Sequence, residues 1–240
     1  MASSAGLSLI VPVHNEQHQL VSALDALLSC LESLRPEILS DFEVLLVDNG
    51  STDATTAIAR SLIGERPALR VLRLESRGLG RAIREGIRHA RFGLAMFYSI
   101  DLPFGVDVVR ESLEALTPDT GMVIGSKGHP DSRITRPLAR RLVSAVLQGL
   151  LRLLFGMHVR DTQGSQLFRT APVRSRLDRM DSPGAFFQIQ LVLAMKRAGL
   201  GIVEIPVRFT DRRTSRMKIV ADGWNAFTDL VRERLRRDGV

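Results

Sequence analysis

Residues 42–64, FEVLLVDNGSTDATTAIARSLIG, run from a continuous apolar stretch through a turn-forming cluster into a helix-period stripe. A short apolar run bounded by turn residues reads as a buried strand. The DNGSTD segment (48–53) ends it, and Ser51 or Asp53 stands where a cap for the following helix is needed. The same unit recurs on either side. Toward the N-terminus, LSLIVPV (7–13) precedes a stripe at Leu20, Val21, Leu24, Leu27, Leu28, Leu31 and Leu34. Toward the C-terminus, RVLRL (70–74) leads into GLGRAIREGIRHA, and LAMFYS (94–99) leads through a turn into VDVVRESLEAL. Such alternation predicts an α/β fold, a mostly parallel sheet with helices on both faces. Ligands of such sheets sit outside the carboxyl ends of the strands. Those ends carry HNE (14–16), DNGSTD (48–53), ESRGLG (75–80) and SIDLP (99–103).

The second half is patterned differently. A strand, GMVIGS (121–126), precedes a polar loop and a helix with Leu138, Leu142, Val146, Leu150 and Leu154 on one stripe and Arg136, Arg140, Arg141 and Arg152 beside it. VRDTQGSQLFR (159–169), a helix over 187–199, the strand GIVEIPVRF (201–209) and the loop TDRRTSRMK follow. The terminal helix (219–240) spaces Val220, Trp224, Phe227 and Val231 helically, with Arg232, Arg236 and Arg237 nearby. With no linker or repeat, residues 1–240 read as one domain.

The chain has 240 residues, 45% hydrophobic and 25% charged, and a formal net charge of +7, which points to an acidic partner. Nucleic acid is a poor fit, because aromatics make up only 5% and no RNP or zinc-finger pattern is present. The single cysteine, Cys30, excludes an internal disulfide and lies in an apolar helical stripe. The opening MASSAGLSLIVPVHNE lacks a basic n-region and reads as a first strand, not a signal peptide. LVSAVLQGLL (142–151) falls short of the roughly 20 apolar residues that cross a bilayer.

Individual motifs are ambiguous. VDNGSTD serves equally as a capping turn and as a ligand loop, and RGLGRAIREG lacks the third glycine of a dinucleotide fingerprint. His14 and His18 are four apart, but Glu16 is out of place for a zinc protease. No Ser, His and acid set or G-x-S-x-G is present, so covalent catalysis has little support.

In order, however, PVHNE, VDNGSTD, RGLGRAIREG, SIDLP, IGSK, RDTQGSQLFR and EIPVRF…RRTSRMK resemble the family-2 glycosyltransferases, and among them the polyprenyl-phosphate sugar synthases of the dolichol-phosphate mannose synthase type. The resemblance runs from about residue 7 to residue 220. It implies a GT-A fold, a nucleotide-sugar donor and inversion at the anomeric carbon. It divides the domain into a nucleotide-sugar half (about 7–130) and an acceptor-side half (about 131–218). By this resemblance Pro12, His14 and Glu16 hold the nucleotide base and ribose, Asp48 contacts the base, and Asp53 supports that turn. Gly78 and Gly80 let backbone approach the nucleotide. Asp101 is the second acid of D-x-D and the implied ligand of Mg²⁺ or Mn²⁺. The first acid is replaced by Ser99, and Pro103 stands where a polar residue is common. One carboxylate suffices for such ions when phosphate and water complete the shell. Lys127, where the family often has Arg, meets leaving-group charge. Asp161 and Gln163 match the acceptor-side D-x-Q segment; the alternative for Asp161 is a salt bridge to Arg160 or Arg169. Arg212, Arg213, Ser215, Arg216 and Lys218 resemble a loop closing over phosphates.

The implied reaction moves a hexose, mannose or glucose, from a GDP- or UDP-sugar to a polyprenyl phosphate. That acceptor is already anionic and needs no base. Two anionic groups must then share one site, and Lys127, Arg133, Arg136, Arg140, Arg212, Arg213 and Arg216 supply the counter-charge. A hydroxyl acceptor would need a base, with Asp161 the leading candidate. Loss of the first acid leaves a further alternative, a relative that binds without turnover. A lipid acceptor implies a cytoplasmic protein held peripherally at the cytoplasmic face, on an anionic membrane surface or through a membrane protein.

Overall fold

The computed structural model describes residues 5–135, 138–210 and 228–235, with the side chains of 138–143 and 210 outside that description. Its first half follows the expected alternation: β1 (Ala5–Val13), α1 (Leu20–Ser33), β2 (Leu39–Asn49), α2 (Thr55–Ser61), β3 (Leu69–Leu74), α3 (Leu79–His89), β4 (Leu94–Phe97), α4 (Asp107–Glu114) and β5 (Thr120–Ser126). The second half adds β6 (Arg133–Thr135), α5 (Leu138–Phe155), β7 (Ser165–Arg169), α6 (Thr170–Arg174), α7 (Phe186–Arg197), β8 (Gly201–Pro206) and β9 (Arg208–Thr210). Residues 228–235 form a further helical segment.

Seven strands make one sheet in the order β3-β2-β1-β4-β7-β5-β8, and β6 and β9 pair in parallel beside it. Residues Phe42 to Asn49 of β2 and all of β5 are buried, the continuous pattern of strands covered on both faces. Pro12 interrupts no ladder bond. Ile10 O accepts Tyr98 N–H at 3.0 Å, so Pro12, two residues on, faces the β4 side and not β2; pairing with β4 ends at Ile10 opposite Phe97, and the N–H that Pro12 lacks would have had no strand partner.

One departure from the parallel scheme is β7, which runs antiparallel to both β4 and β5. Its polar character hid it in the sequence. Ser165 and Gln166 are buried, and the Gln166 amide donates to Thr162 O at 3.1 Å and Gln188 O at 3.2 Å. Gln188 in return donates to Gly164 O at 3.2 Å.

Each sheet face carries its own core. Ile83 and Ile87 of α3, Leu151 and Phe155 of α5, and Phe187 and Leu191 of α7 cover one. Leu20, Leu24, Leu27 and Leu31 of α1, with Val108 and Val109 of α4, cover the other. Each fully buried leucine contributes about 1.5–3 kcal/mol of transfer free energy. From Phe186 to Met195, α7 is buried on all sides, so its buried amides need internal partners. Gln190 donates to Glu233 Oε2 at 2.9 Å and accepts Ser182 N–H at 3.3 Å. Glu233 also pairs with Arg197 at 2.9 Å, and Ser182 Oγ donates to Asp229 Oδ2 at 3.1 Å. The 228–235 segment is thereby fastened to α7 and the loop before it.

Candidate active site

The carboxyl ends of β1, β2, β4, β5 and β8 share one edge of the sheet with the start of β7. At the β1–β2 end, two loops are stitched together. Asn15, in the left-handed region at φ 57°, which Asn tolerates, donates its N–H to Ser51 Oγ at 3.1 Å and accepts Thr52 N–H at 2.8 Å. Glu16 N–H donates to Thr55 Oγ1 at 2.8 Å, and the Glu16 carboxylate accepts from the side-chain amide of Gln19, the N-cap residue of α1. His14 is half-buried with Nδ1 3.1 Å from Asn49 O; a carbonyl only accepts, so Nδ1 carries the proton.

Asp48 is fully buried. It accepts Ser51 N–H at 2.9 Å and the Thr56 hydroxyl, and lies 3.9 Å from Arg73 Nε. Its carboxylate therefore shapes the turn, the task expected of Asp53 alone. Asp53 accepts Thr55 N–H at 2.9 Å and Gln17 N–H at 3.4 Å. Partial desolvation works to raise the Asp53 pKa, but these hydrogen bonds with Thr55 and Gln17 together lower it. Ala54 immediately precedes α2, and it is Asp53, through its bond to Thr55 N–H, that caps the helix; Ser51 does not.

Gly78 N–H donates to Asn49 Oδ1 at 2.7 Å, and Gly80 N–H donates to Pro183 O at 2.9 Å. A Cβ on Gly80 would lie 2.2 Å from Ser182 O, and one on Gly78 would lie 2.8 Å from Pro183 O. The space these glycines leave is thus filled by the chain's own 182–183 backbone.

Beyond β4, Ser99 Oγ donates to Asp101 Oδ1, and Leu102 adopts φ 46°, a strained conformation for a γ-branched residue. The loop is held from beneath by Tyr98, whose hydroxyl donates to Gly105 O at 2.7 Å and accepts Phe104 N–H at 3.1 Å. Burial, with a smaller contribution from the Asp101 charge, pushes the Tyr98 pKa well above its ordinary value and keeps the hydroxyl a neutral donor. The Phe104 ring packs on Tyr98 at 6.3 Å and on Phe209 at 5.7 Å between centroids.

Across this loop, Lys127 Nζ lies 2.7 Å from Asp161 Oδ2 and donates to Gln163 O at 3.1 Å. Asp161 is paired with Lys127, not with Arg160 or Arg169; Arg169 instead donates to Thr120 O at 2.9 Å and Thr117 O at 3.1 Å. Glu204 accepts the backbone N–H groups of Arg160 at 3.0 Å and Asp161 at 3.1 Å. Arg133 is exposed on β6. The side chain of Arg140 lies outside the described residues, as do Arg136, Arg212, Arg213, Ser215, Arg216 and Lys218.

The model of glycosyl transferase family 2 matches residues 8–175, which include the loops after β1, β2, β3, β4 and β5 and the start of β7, but not the 182–183 backbone, Glu204 or Phe209. The chain belongs to this family. The family-2 chain is 32% identical over 222 residues to a dolichyl-phosphate beta-glucosyltransferase of Drosophila melanogaster, covering 87% of this chain and 68% of that one. It is 30% identical over 221 residues to an undecaprenyl-phosphate mannosyltransferase of Micrococcus luteus, covering 88% and 86% respectively. The fold matches glucosyl-3-phosphoglycerate synthase of Mycobacterium tuberculosis, solved with Mn²⁺, UDP-glucose and phosphoglyceric acid. That match has a TM-score of 0.71 at 19% identity and covers 96% of this chain and 80% of the other.

This family-2 glycosyltransferase groups no three His, Cys, Asp or Glu side chains as a metal cluster among its described residues. Its oxygen donors at the β4 edge, the Asp101 carboxylate and the Ser99 hydroxyl, fit a hard divalent cation that draws its remaining ligands from phosphate and water. Tyr98, Phe104 and Glu204 carry no motif chemistry and were not singled out from the sequence. Only the place of Glu204 in EIPVRF and of Phe104 beside SIDLP hinted at them.

Proposed function

We propose that this transferase moves a hexose, mannose or glucose, from a GDP- or UDP-sugar to a polyprenyl phosphate. One observation carries the reading: the two relatives differ in sugar and in the lipid named, and both names specify a polyprenyl phosphate acceptor. A phosphate oxygen of the acceptor attacks the anomeric carbon as the bond to the donor diphosphate breaks, inverting that carbon and releasing the nucleoside diphosphate. The oxygen is ionised at neutral pH, so no side chain has to remove a proton. Asp101 and Ser99 would hold Mg²⁺ or Mn²⁺, which supplies neutralisation of the diphosphate when bound. The bonds of His14 to Asn49, of Asn15 to Ser51 and Thr52, and of Glu16 to Thr55 make the two loops a rigid wall on the donor side. Exposed Arg133 adds positive charge on the acceptor side.

The lipid acceptor calls for a membrane surface. Among the described residues no helix is long and apolar enough to cross a bilayer. One face of α5 leaves Val146 58% and Leu153 80% exposed, one residue from exposed Arg152, while Leu151 and Phe155 enter the core. With a net charge of +7, this face suits an anionic bilayer at the cytoplasmic side.

The test is transfer of labelled sugar from GDP-mannose and UDP-glucose to a short polyprenyl phosphate, with Mg²⁺, Mn²⁺ or EDTA. Metal-dependent label in the organic phase is expected, and Asp101→Asn should lower kcat/KM at least about a hundredfold. Folded protein that labels no lipid with either donor would overturn the reading.

A further inference from the structure

Lys127 stands where the two sides of the edge meet. Its ammonium has three protons to place. Asp161 Oδ2 lies 2.7 Å away, Gln163 O accepts at 3.1 Å, and the centroid of the Phe104 ring is 5.4 Å from Nζ. The carboxylate is equally engaged: Oδ2 also accepts Lys127 N–H at 2.9 Å, and Oδ1 accepts Gln163 N–H at 2.9 Å. The two side chains are only 14% and 10% exposed. Phe104 belongs to the Asp101 loop, and Glu204 holds the backbone at 160–161. One contiguous set of contacts therefore runs from the end of β4 through β5 and the start of β7 to β8.

We propose that Lys127 and Asp161 work as one unit, a ring-capped ion pair that fixes the Asp101 loop against the acceptor-side loop, with Asp161 a positioning residue and not a proton acceptor. This rests on the reading of the acceptor as a phosphate, which needs no base. A general base must offer a lone pair toward the substrate proton. Asp161 directs its oxygens at an ammonium and two backbone N–H groups, contacts that favour a fixed carboxylate. The cation lies between the carboxylate and the aromatic face, and removing either charge strands the other in a largely buried place.

The test compares Lys127→Met, Asp161→Asn and the double variant with wild type, in urea unfolding and in lipid-linked transfer across pH. Each single change is expected to lower kcat by a similar factor, about tenfold to a hundredfold, and the double to lose no more than the worse single. The pH profile of Asp161→Asn should keep its shape, and Lys127→Arg should retain more of kcat than Lys127→Met, because the charge is kept while the fit against Asp161 and Phe104 is not. Additive losses would overturn the proposal, as would a lost pH limb in Asp161→Asn with Lys127→Met near wild type. If a single variant fails to fold, the double, which leaves no unpaired charge, decides: an unchanged pH profile supports the pair and a missing limb sinks it. Wild type that labels no lipid defeats the functional reading alone. The urea cycle needs no substrate, and in it non-additive midpoints support the pair while additive ones overturn it.

Discussion

At the scale of single residues, Tyr98 shows how a buried hydroxyl can govern a neighbouring site. It is 1% exposed, and its one oxygen joins Phe104 N–H to Gly105 O. Tyr98→Phe keeps the ring and leaves that N–H and carbonyl without the partner, a change of about 1–3 kcal/mol. The expected outcome is that loss in urea unfolding, together with a higher Mn²⁺ concentration for half-maximal transfer. An unchanged metal requirement in a destabilised variant would confine Tyr98 to the fold. Asp101 was legible in the sequence because a lone acid follows a strand at the ligand edge. The partner of Asp161 was not. Lys127 precedes it by 34 positions, and the nearer arginines, Arg160 and Arg169, made the more obvious candidates.

Among the elements, the strand and helix alternation of the first half could be read directly, since its strands are apolar runs and its helices carry periodic stripes. β7 could not, because a strand whose buried residues include Ser165 and Gln166 lacks the apolar signal and depends on α7 for its hydrogen bonds. For its part, α7 hides its direction, since buried residues surround its axis. The glycines of RGLGRAIREG were visible, but not their reason. Gly80 lets α3 pass under the 182–183 backbone, and Gly80→Ala would force a Cβ to 2.2 Å from Ser182 O. Overpacking against backbone predicts about 1–3 kcal/mol of destabilisation, measured by urea unfolding. A loss under about 0.5 kcal/mol would show that the loop yields freely.

Across the whole molecule, the uneven placement of apolar surface matters more than its amount. The exposed Val146 and Leu153 lie on a helix whose other side enters the core. Replacing both by Asp should leave the urea midpoint nearly unchanged, since neither is buried. The same variant should bind anionic vesicles more weakly and use vesicle-borne acceptor poorly, while keeping its rate on a short, detergent-dispersed acceptor. Equal rates on both acceptors would place the membrane contact elsewhere. The hydrogen bonds of the final described helix have a longer reach than their position suggests. Asp229 grips Ser182, the neighbouring Pro183 accepts from Gly80, and Gly78 leans on Asn49, whose carbonyl orients His14. The 228–235 segment is therefore a strut for the loop that carries His14, and Asp229→Ala, which releases Ser182, is expected to be felt first as weakened nucleotide-sugar affinity.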